Sequence, residues 1–207
     1  MTLSRRKRLF DLAVAIPAVV LTLPVQAVVA VLVARKLGRP VLFRQLRPGL
    51  DGEPFELIKF RTMAPPDPGR GLVDDAARLT DFGAKLRATS LDELPTLLNV
   101  IRGDMSLVGP RPLLMQYLDR YTPLQARRHE VRPGMTGLAQ VSGRNAIGWE
   151  EKLALDVQYV DHQSIRTDLR ILIATARQVV RGDGITAPGH VTTTEFMGSS
   201  GAMGQAS

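Results

Sequence analysis

The chain has 207 residues, 44% of them hydrophobic, enough for one core of ordinary size. Its net charge of +7 and pI near 10.3 favour an anionic partner: nucleic acid, lipid head groups or a phosphorylated substrate. It has no cysteine, which excludes a disulfide framework, thiolate metal sites and a thiol nucleophile, and its three histidines, His129, His162 and His190, show no metal-ligand spacing.

The first element is apolar. Leu12 to Ala34, LAVAIPAVVLTLPVQAVVAVLVA, carries no charge over 23 residues. As a straight helix it measures roughly 35 Å, against about 30 Å for a bilayer core. Arg5-Arg6-Lys7-Arg8 precede it, and Arg35, Lys36 and Arg39 follow. Basic flanks prefer the cytoplasmic side. A simple spanning helix therefore strands one cluster, whereas a segment that dips in and returns satisfies both. Pro17 and Pro24 suit a break, since each removes a backbone donor, and Thr22 stands where it could satisfy a freed carbonyl. A kinked spanning helix and a cleaved signal peptide, with a small-residue site at Val28-Val29-Ala30, are the alternatives.

Val41 to Phe43 and Phe55 to Phe60 read as two strands of a hairpin joined by RQLRPGLDGEP. APPDPGRG, residues 64–71, is a loop. Asp74 to Arg87 reads as a helix with Leu79, Phe82 and Leu86 inward. Helix signals recur at Pro112 to Arg120, Thr122 to Glu130, Glu150 to Val160 and Thr167 to Arg181. In the last, Leu169, Leu172, Ile173 and Ala176 form one stripe, and Arg170, Arg177 and Arg181 occupy another face. Such a helix suits either a membrane surface or a core with a solvated side. RPGLDG at residues 47–52 and RPGMTG at 132–137 echo each other, and Pro-Gly at their centres suggests type II turns. GSSGAMGQAS, from Gly198 onward, reads as a disordered tail.

Residues 90–113, SLDELPTLLNVIRGDMSLVGPRPL, carry the chemistry. Leu94, Leu97, Leu98 and Ile101 recur at helical spacing, so a helix begins nearby and ends at Gly103. Asp92 reads first as its N-cap, or Ser90 and Glu93 as a capping box. The surroundings point elsewhere. Lys59 and Arg61 lie in a strand, Lys85 and Arg87 come just before the acidic pair, and Arg102 and Arg111 just after it. A helix start ringed by cations can hold a phosphate beside a carboxylate. At about 4 Å the two charges oppose each other by roughly 4 kcal/mol at an effective dielectric near 20. A divalent oxygen-seeking ion, Mg²⁺ above all, removes that barrier with one or two protein ligands from Asp92 or Glu93. A carboxylate so placed can attack phosphorus directly. A membrane-anchored, non-catalytic binder of anions, nucleic acid included, is the alternative. Aromatic residues at only 5%, with no recognised nucleic-acid fold signature, argue against it.

RPGLDGEPFELIKFRTM, LDELPTLLNVIRGDMSLVGPRPL, VRPGMTGLAQVSGRNAI and LDVQYVDHQSIRTDLRIL, in this order behind a basic, proline-broken apolar N-terminus, resemble the bacterial monotopic phosphoglycosyl transferases, the bacterial sugar transferase family. The similarity runs from about Lys7 to Phe196. The short chain and the ending GHVTTTEF resemble the subgroup that transfers diacetylbacillosamine phosphate.

The resemblance implies transfer of a sugar-1-phosphate from a UDP-sugar to undecaprenyl phosphate with release of UMP, and it implies Mg²⁺. By motif matching, Asp92 is the nucleophile and a metal ligand, and Glu93 its partner. Lys59, Arg87 and Arg111 contact phosphate, and Asp156 and Asp168 are supporting polar residues of the substrate site. Pro24 breaks a re-entrant helix on the cytoplasmic face of the bacterial inner membrane. Where the family often has Ser before that proline, this chain has Leu23. The expected fold is α+β and mostly helical: a membrane-inserted segment over residues 1–36, a single catalytic domain with a small hairpin and interfacial amphipathic helices over 37–197, and a tail over 198–207.

Overall fold

A computed structural model describes residues 3–143, 147–181 and 195–198. The expected tail beyond Gly198, and most of GHVTTTEF, lie outside the described residues.

The apolar N-terminal segment forms one helix, α1, Leu3–Leu37, with Pro17 and Pro24 inside it. Thr22 does not reach Val20, whose carbonyl Pro24 leaves without its usual donor. Its hydroxyl donates instead to the Ala18 carbonyl, one turn back at 2.6 Å, and accepts from the Gln26 amide at 3.0 Å. Both halves of α1 rest on the same body. Ala15, with Phe10 and Val19 nearby, packs against Leu97, Val100 and Met105. Val29 and Val33 pack against Phe60 and Leu86. Between these footings Val20, Leu21 and Leu23 are more than half exposed.

Two arginines fasten the ends. Arg8 donates to the carbonyls of Val100 and Ile101, at 2.5 and 2.6 Å, so it caps the C-terminus of helix α4, Leu97–Arg102. Arg61 donates to the carbonyls of Leu37 and Gly38, capping α1 itself. Helix ends carry unsatisfied carbonyls and a partial negative charge, so a guanidinium serves both needs.

The hairpin expected from the sequence is present and longer than read: β1, Leu42–Pro48, pairs antiparallel with β2, Pro54–Phe60, in the register Leu42↔Phe60 to Pro48↔Pro54. The turn is made by Leu50–Gly52, with Asp51 and Gly52 at positive φ. The RPG motifs are not type II turns, since neither Gly49 nor Gly134 has the required positive φ. Each glycine is there for close approach. A Cβ on Gly49 would sit 3.0 Å from the Glu53 carbonyl oxygen, and one on Gly134 only 2.1 Å from the Gly109 nitrogen. Gly134 opens strand β4, Gly134–Thr136, which pairs parallel with β3, Ser106–Val108.

The remaining helices follow local caps. The expected helix at 74–87 is split into α2, Asp75–Arg78, and α3, Asp81–Ala88, because Asp74 caps the first (2.7 Å) and Thr80 starts the second (3.1 Å). Prolines at 110 and 112 leave 112–114 outside any helix, and only Met115–Arg120 winds into a 3₁₀ helix. Thr122 and Gln125 form a capping box on α5, Pro123–Ala126, followed by a 3₁₀ turn at Arg127–His129. α6 is Leu138–Ser142, α7 Trp149–Asp161 and α8 Ile165–Arg181.

On α8 the stripe read from the sequence points outward. Leu169, Ile173 and Ala176 are exposed together with Arg166, Arg170 and Arg177, whereas Leu172, the fourth residue of the stripe, packs half-buried against the core beside Ile171, and Asp168 is buried. With the exposed apolar residues of α1, this leaves a run of uncovered hydrophobic side chains of the kind that marks a contact with a partner or a membrane.

Candidate active site

LDELP opens the site. Ser90 takes a left-handed conformation (φ 56°, ψ 16°), unusual for a residue with a side chain, and Leu91–Thr96 then form a 3₁₀ helix leading into α4. Neither capping arrangement expected from the sequence forms. The Ser90 side chain caps nothing, and Asp92 lies inside the turn, not at its head.

The turn is locked to β2 from below. Thr96 donates to the Ile58 carbonyl at 2.8 Å. Asn99, completely buried, accepts from the Ile58 amide (3.1 Å) and donates to the Glu56 carbonyl (2.8 Å) and to Asp104 (3.1 Å). These bonds fix the distance between β2, which carries Lys59, and the turn that carries Asp92.

Five of the residues read from the sequence meet here. Asp92 is 4% exposed, and no hydrogen bond reaches its carboxylate among the described residues. Burial, then the adjacent Glu93, push its carboxyl up to about 6, against the opposing pull of Lys59, Arg111 and Arg87. Burial lowers the Lys59 ammonium from its ordinary range, with Asp92 the strongest force holding its charge. That ammonium also lies 5.3 Å from the centre of the Phe43 ring, its cross-strand neighbour. Arg87 donates through Nε to the Thr62 hydroxyl at 3.1 Å. Arg111 pairs with Glu93 at 2.8 Å, and that carboxylate raises its pKa. The result is one buried carboxylate ringed by three cations, beside a second carboxylate already committed to an arginine.

Asp156 and Asp168 are placed elsewhere, as buried anchors of the frame. Asp156 Oδ2 accepts both Nε and Nη2 of Arg128, at 3.0 and 2.7 Å. Arg128, which sequence reasoning missed, also donates to the Arg111 carbonyl at 2.7 Å. Arg47 donates to the Pro112 carbonyl at 3.3 Å. The rigid Pro110-Arg111-Pro112 stretch is thus held by two guanidinium groups, which aims Arg111 at Glu93. Asp168 is fully buried and accepts from Lys7 and from the Tyr159 hydroxyl, each at 2.7 Å. Lys7 also lies 3.5 Å from Asp11, whose Oδ1 accepts from Ser106 and from the Leu107 amide. A cation that reads as part of a membrane-flanking cluster instead ties α1 to β3 and α8. Helical phase puts Lys7 and Asp11 one turn apart, but nothing in the sequence marks Asp168 as their partner.

Residues 3–182 match the family described as Bacterial sugar transferase. A Bacillus subtilis protein named "Uncharacterized sugar transferase EpsL" is 54% identical over 194 residues, covering 93% of this chain and 96% of that protein. A Caulobacter vibrioides protein named UDP-glucose:undecaprenyl-phosphate glucose-1-phosphate transferase is 41% identical over 192 residues, 86% of this chain and 71% of that one. An Erwinia amylovora UDP-galactose-lipid carrier transferase is 39% identical over 86% of this chain and 41% of its own length. A match of this extent, joined to relatives of this identity, makes the chain a member of the bacterial sugar transferase family.

Proposed function

We propose that this enzyme moves a sugar-1-phosphate from a UDP-sugar to a polyprenyl phosphate, releasing UMP, through a covalent intermediate on Asp92. The names of the relatives in Caulobacter vibrioides and Erwinia amylovora support the overall reaction. The observation that carries the covalent step is the buried Asp92 carboxylate, free of hydrogen bonds among the described residues and surrounded by Lys59, Arg87 and Arg111.

In the first step an Asp92 oxygen attacks the β-phosphorus. The bond from that phosphorus to the α-phosphate oxygen breaks, UMP leaves, and an acyl phosphate holds the sugar. In the second, an oxygen of the polyprenyl phosphate attacks the same phosphorus and the carboxylate is regenerated. Lys59, Arg87 and Arg111 stabilise the charge on the phosphate oxygens in both steps. Glu93 keeps Arg111 oriented and stands next to the incoming acceptor.

Mg²⁺ fits the donor set. Among the described residues no cluster of three or more His, Cys, Asp or Glu exists, but this ion needs only one or two carboxylates beside substrate oxygens. Asp92, with Glu93 adjacent, would hold it, and when bound it supplies neutralisation of charge between carboxylate and diphosphate.

Membrane placement follows from α1. Its two ends, each basic, are fastened to one body by Arg8 and Arg61, which supports both ends lying on the same side of a bilayer. A monotopic, re-entrant segment on the cytoplasmic face satisfies this geometry, with α8 lying in the interface.

The test uses a UDP-sugar labelled with ³²P at the β-phosphate. Wild-type protein is expected to acquire label without acceptor and release it on addition of polyprenyl phosphate. Asp92→Asn is expected to acquire none; a variant that takes up label and turns over at the wild-type rate refutes the assignment.

A further inference from the structure

Glu195 and Phe196 are seated on the 3₁₀ helix Met115–Arg120 by charge and by packing. The Glu195 carboxylate accepts from Gln116 and from Arg120, each at 2.8 Å, and Arg120 also donates to the Phe196 carbonyl at 2.5 Å. The Phe196 ring is buried. It stacks on Tyr121, with ring centres 5.6 Å apart and planes 25° from parallel, and meets Tyr117 and Trp149 at 5.7 and 5.3 Å. Leu113 and Leu114, which directly follow Pro112, pack against the same cluster. The proposed transfer uses none of these groups.

Tyr121 connects this cluster to the candidate site. Its hydroxyl accepts from Arg128 Nη1 at 3.4 Å, and the Arg128 guanidinium carbon lies 5.6 Å from its ring centre. Nε and Nη2 of Arg128 go to Asp156, and Nη2 also to the Arg111 carbonyl. Arg128 is 2% exposed, so a nitrogen that loses its acceptor there finds no water to replace it. A turned Tyr121 ring therefore obliges the guanidinium to shift, and the Arg111 carbonyl with it. Stacked rings attract beyond the area they bury, so Phe196 sets the plane of Tyr121 as well as covering it. We propose that Phe196 is a positioning residue of the candidate site: through Tyr121 and Arg128 it sets the backbone at Arg111, and so the guanidinium that pairs with Glu93 beside Asp92. The inference rests on the proposed reading of Arg111 as a phosphate contact and adds to it a group on a distant part of the chain. A plug that serves the fold alone is the competing role.

Full-length enzyme in detergent, with the UDP-sugar that the wild type turns over, provides the test. Phe196→Ala is expected to lower kcat/KM for the donor by about ten- to a hundredfold, the loss that follows when a group positioning the substrate is displaced by an ångström. In an Arg111→Ala background no guanidinium remains to be positioned. There Phe196→Ala is expected to cost less than about twofold more. Losses that multiply in the double variant overturn the inference and leave Phe196 a plug. Tyr121→Phe guards against a folding defect, since it keeps the ring and removes only the hydroxyl. It is expected to lower kcat/KM by about three- to tenfold, the worth of one hydrogen bond. A wild-type value takes Arg128 out of the path and overturns the inference too. Hydrogen exchange reads the link without substrate. In Phe196→Ala the amides of Arg111, Leu113 and Leu114 are expected to exchange about tenfold faster while those of α1 and the hairpin keep their rates. Unchanged exchange at 111–114 overturns the inference. A wild-type chain that turns over no UDP-sugar defeats the proposed reaction alone, because exchange still reads the link from Phe196 to Arg111.

Discussion

The buried guanidinium of Arg128 donates to the backbone carbonyl of Arg111 at 2.7 Å while it is gripped by Asp156. A carboxylate on α7 thereby controls the position of an arginine that lies next to Glu93 and Asp92. Removing it leaves a charge buried and unpaired. Asp156→Ala is expected to destabilise the protein by about 3–5 kcal/mol. In the fraction that folds, it is expected to raise the KM for the UDP-sugar, since Arg111 loses its support. Denaturation in detergent and steady-state kinetics on the soluble fraction read the two effects separately.

Asp92 is held in a place that disfavours its charge. With its carboxyl pushed up to about 6 from 3.8, the folded state binds the proton more tightly than the unfolded chain does. Ionisation therefore costs folding stability. The penalty is small at about pH 4 and below, grows as pH rises from about 4 to 6, and levels near about 3 kcal/mol by pH 7. Asp92→Asn is expected to be inactive yet more stable than wild type at pH 7, with the gain vanishing at pH 4. Parallel denaturation curves at the two pH values check this, and equal stability at both pH values would defeat it.

On the proposed mechanism the same group sets the pH dependence of the first step. Attack needs the carboxylate, so kcat/KM for the UDP-sugar, which reports the free enzyme, is expected to rise with pH through about 6 and then level. A profile of initial rates of UMP release against pH measures it. A flat profile between pH 5 and 7 would mean that Asp92 is already ionised in the free enzyme.

Glu93 and Arg111 form a pair that is partly open to solvent, with side chains 29% and 51% exposed. Such a pair contributes below about 1 kcal/mol to stability. Glu93→Gln is expected to leave the unfolding midpoint nearly unchanged and to lower kcat/KM, because a freed Arg111 samples other directions. A large loss of stability would show that the pair holds the fold and not the site.

Gly83 allows α3 to lie against the chain at Thr62. A Cβ there would come within 1.8 Å of the Thr62 carbonyl oxygen, and Thr62 is the residue that receives Arg87. Gly83→Ala is expected to cost at least 1–3 kcal/mol, the usual range for overpacking, and to weaken donor binding by displacing Arg87. Thermal unfolding and the KM for the UDP-sugar test both parts.

Several elements were legible because their signal is local. An uncharged run of 23 residues announces α1, and turn residues between alternating segments announce the hairpin. LDELP with its neighbouring cations announced an acidic pair among basic side chains, and the structure brings Asp92, Glu93, Lys59, Arg87 and Arg111 together. Strands β3 and β4 were not legible. They are three residues each, buried or nearly so along their length, and pair across 28 positions from Ser106 to Gly134, so they show neither alternation nor turn signals. The direction of the α8 stripe was not legible either, because helical spacing defines a face without saying what lies against it.

Chain order and residue chemistry alone determined that the protein has a long apolar N-terminal helix, a basic body, and an acidic pair flanked in sequence by cations. Tertiary structure alone decided that Asp92 is buried, with no hydrogen bond to its carboxylate among the described residues, while its neighbour is tied to an arginine. It also decided that Lys7 is the partner of Asp168 and that Arg128 links Asp156 to the site. The physical reason is that burial and charge pairing depend on which surfaces meet after folding. Lys7 and Asp168 are 161 positions apart, and no periodicity or propensity acts over that separation.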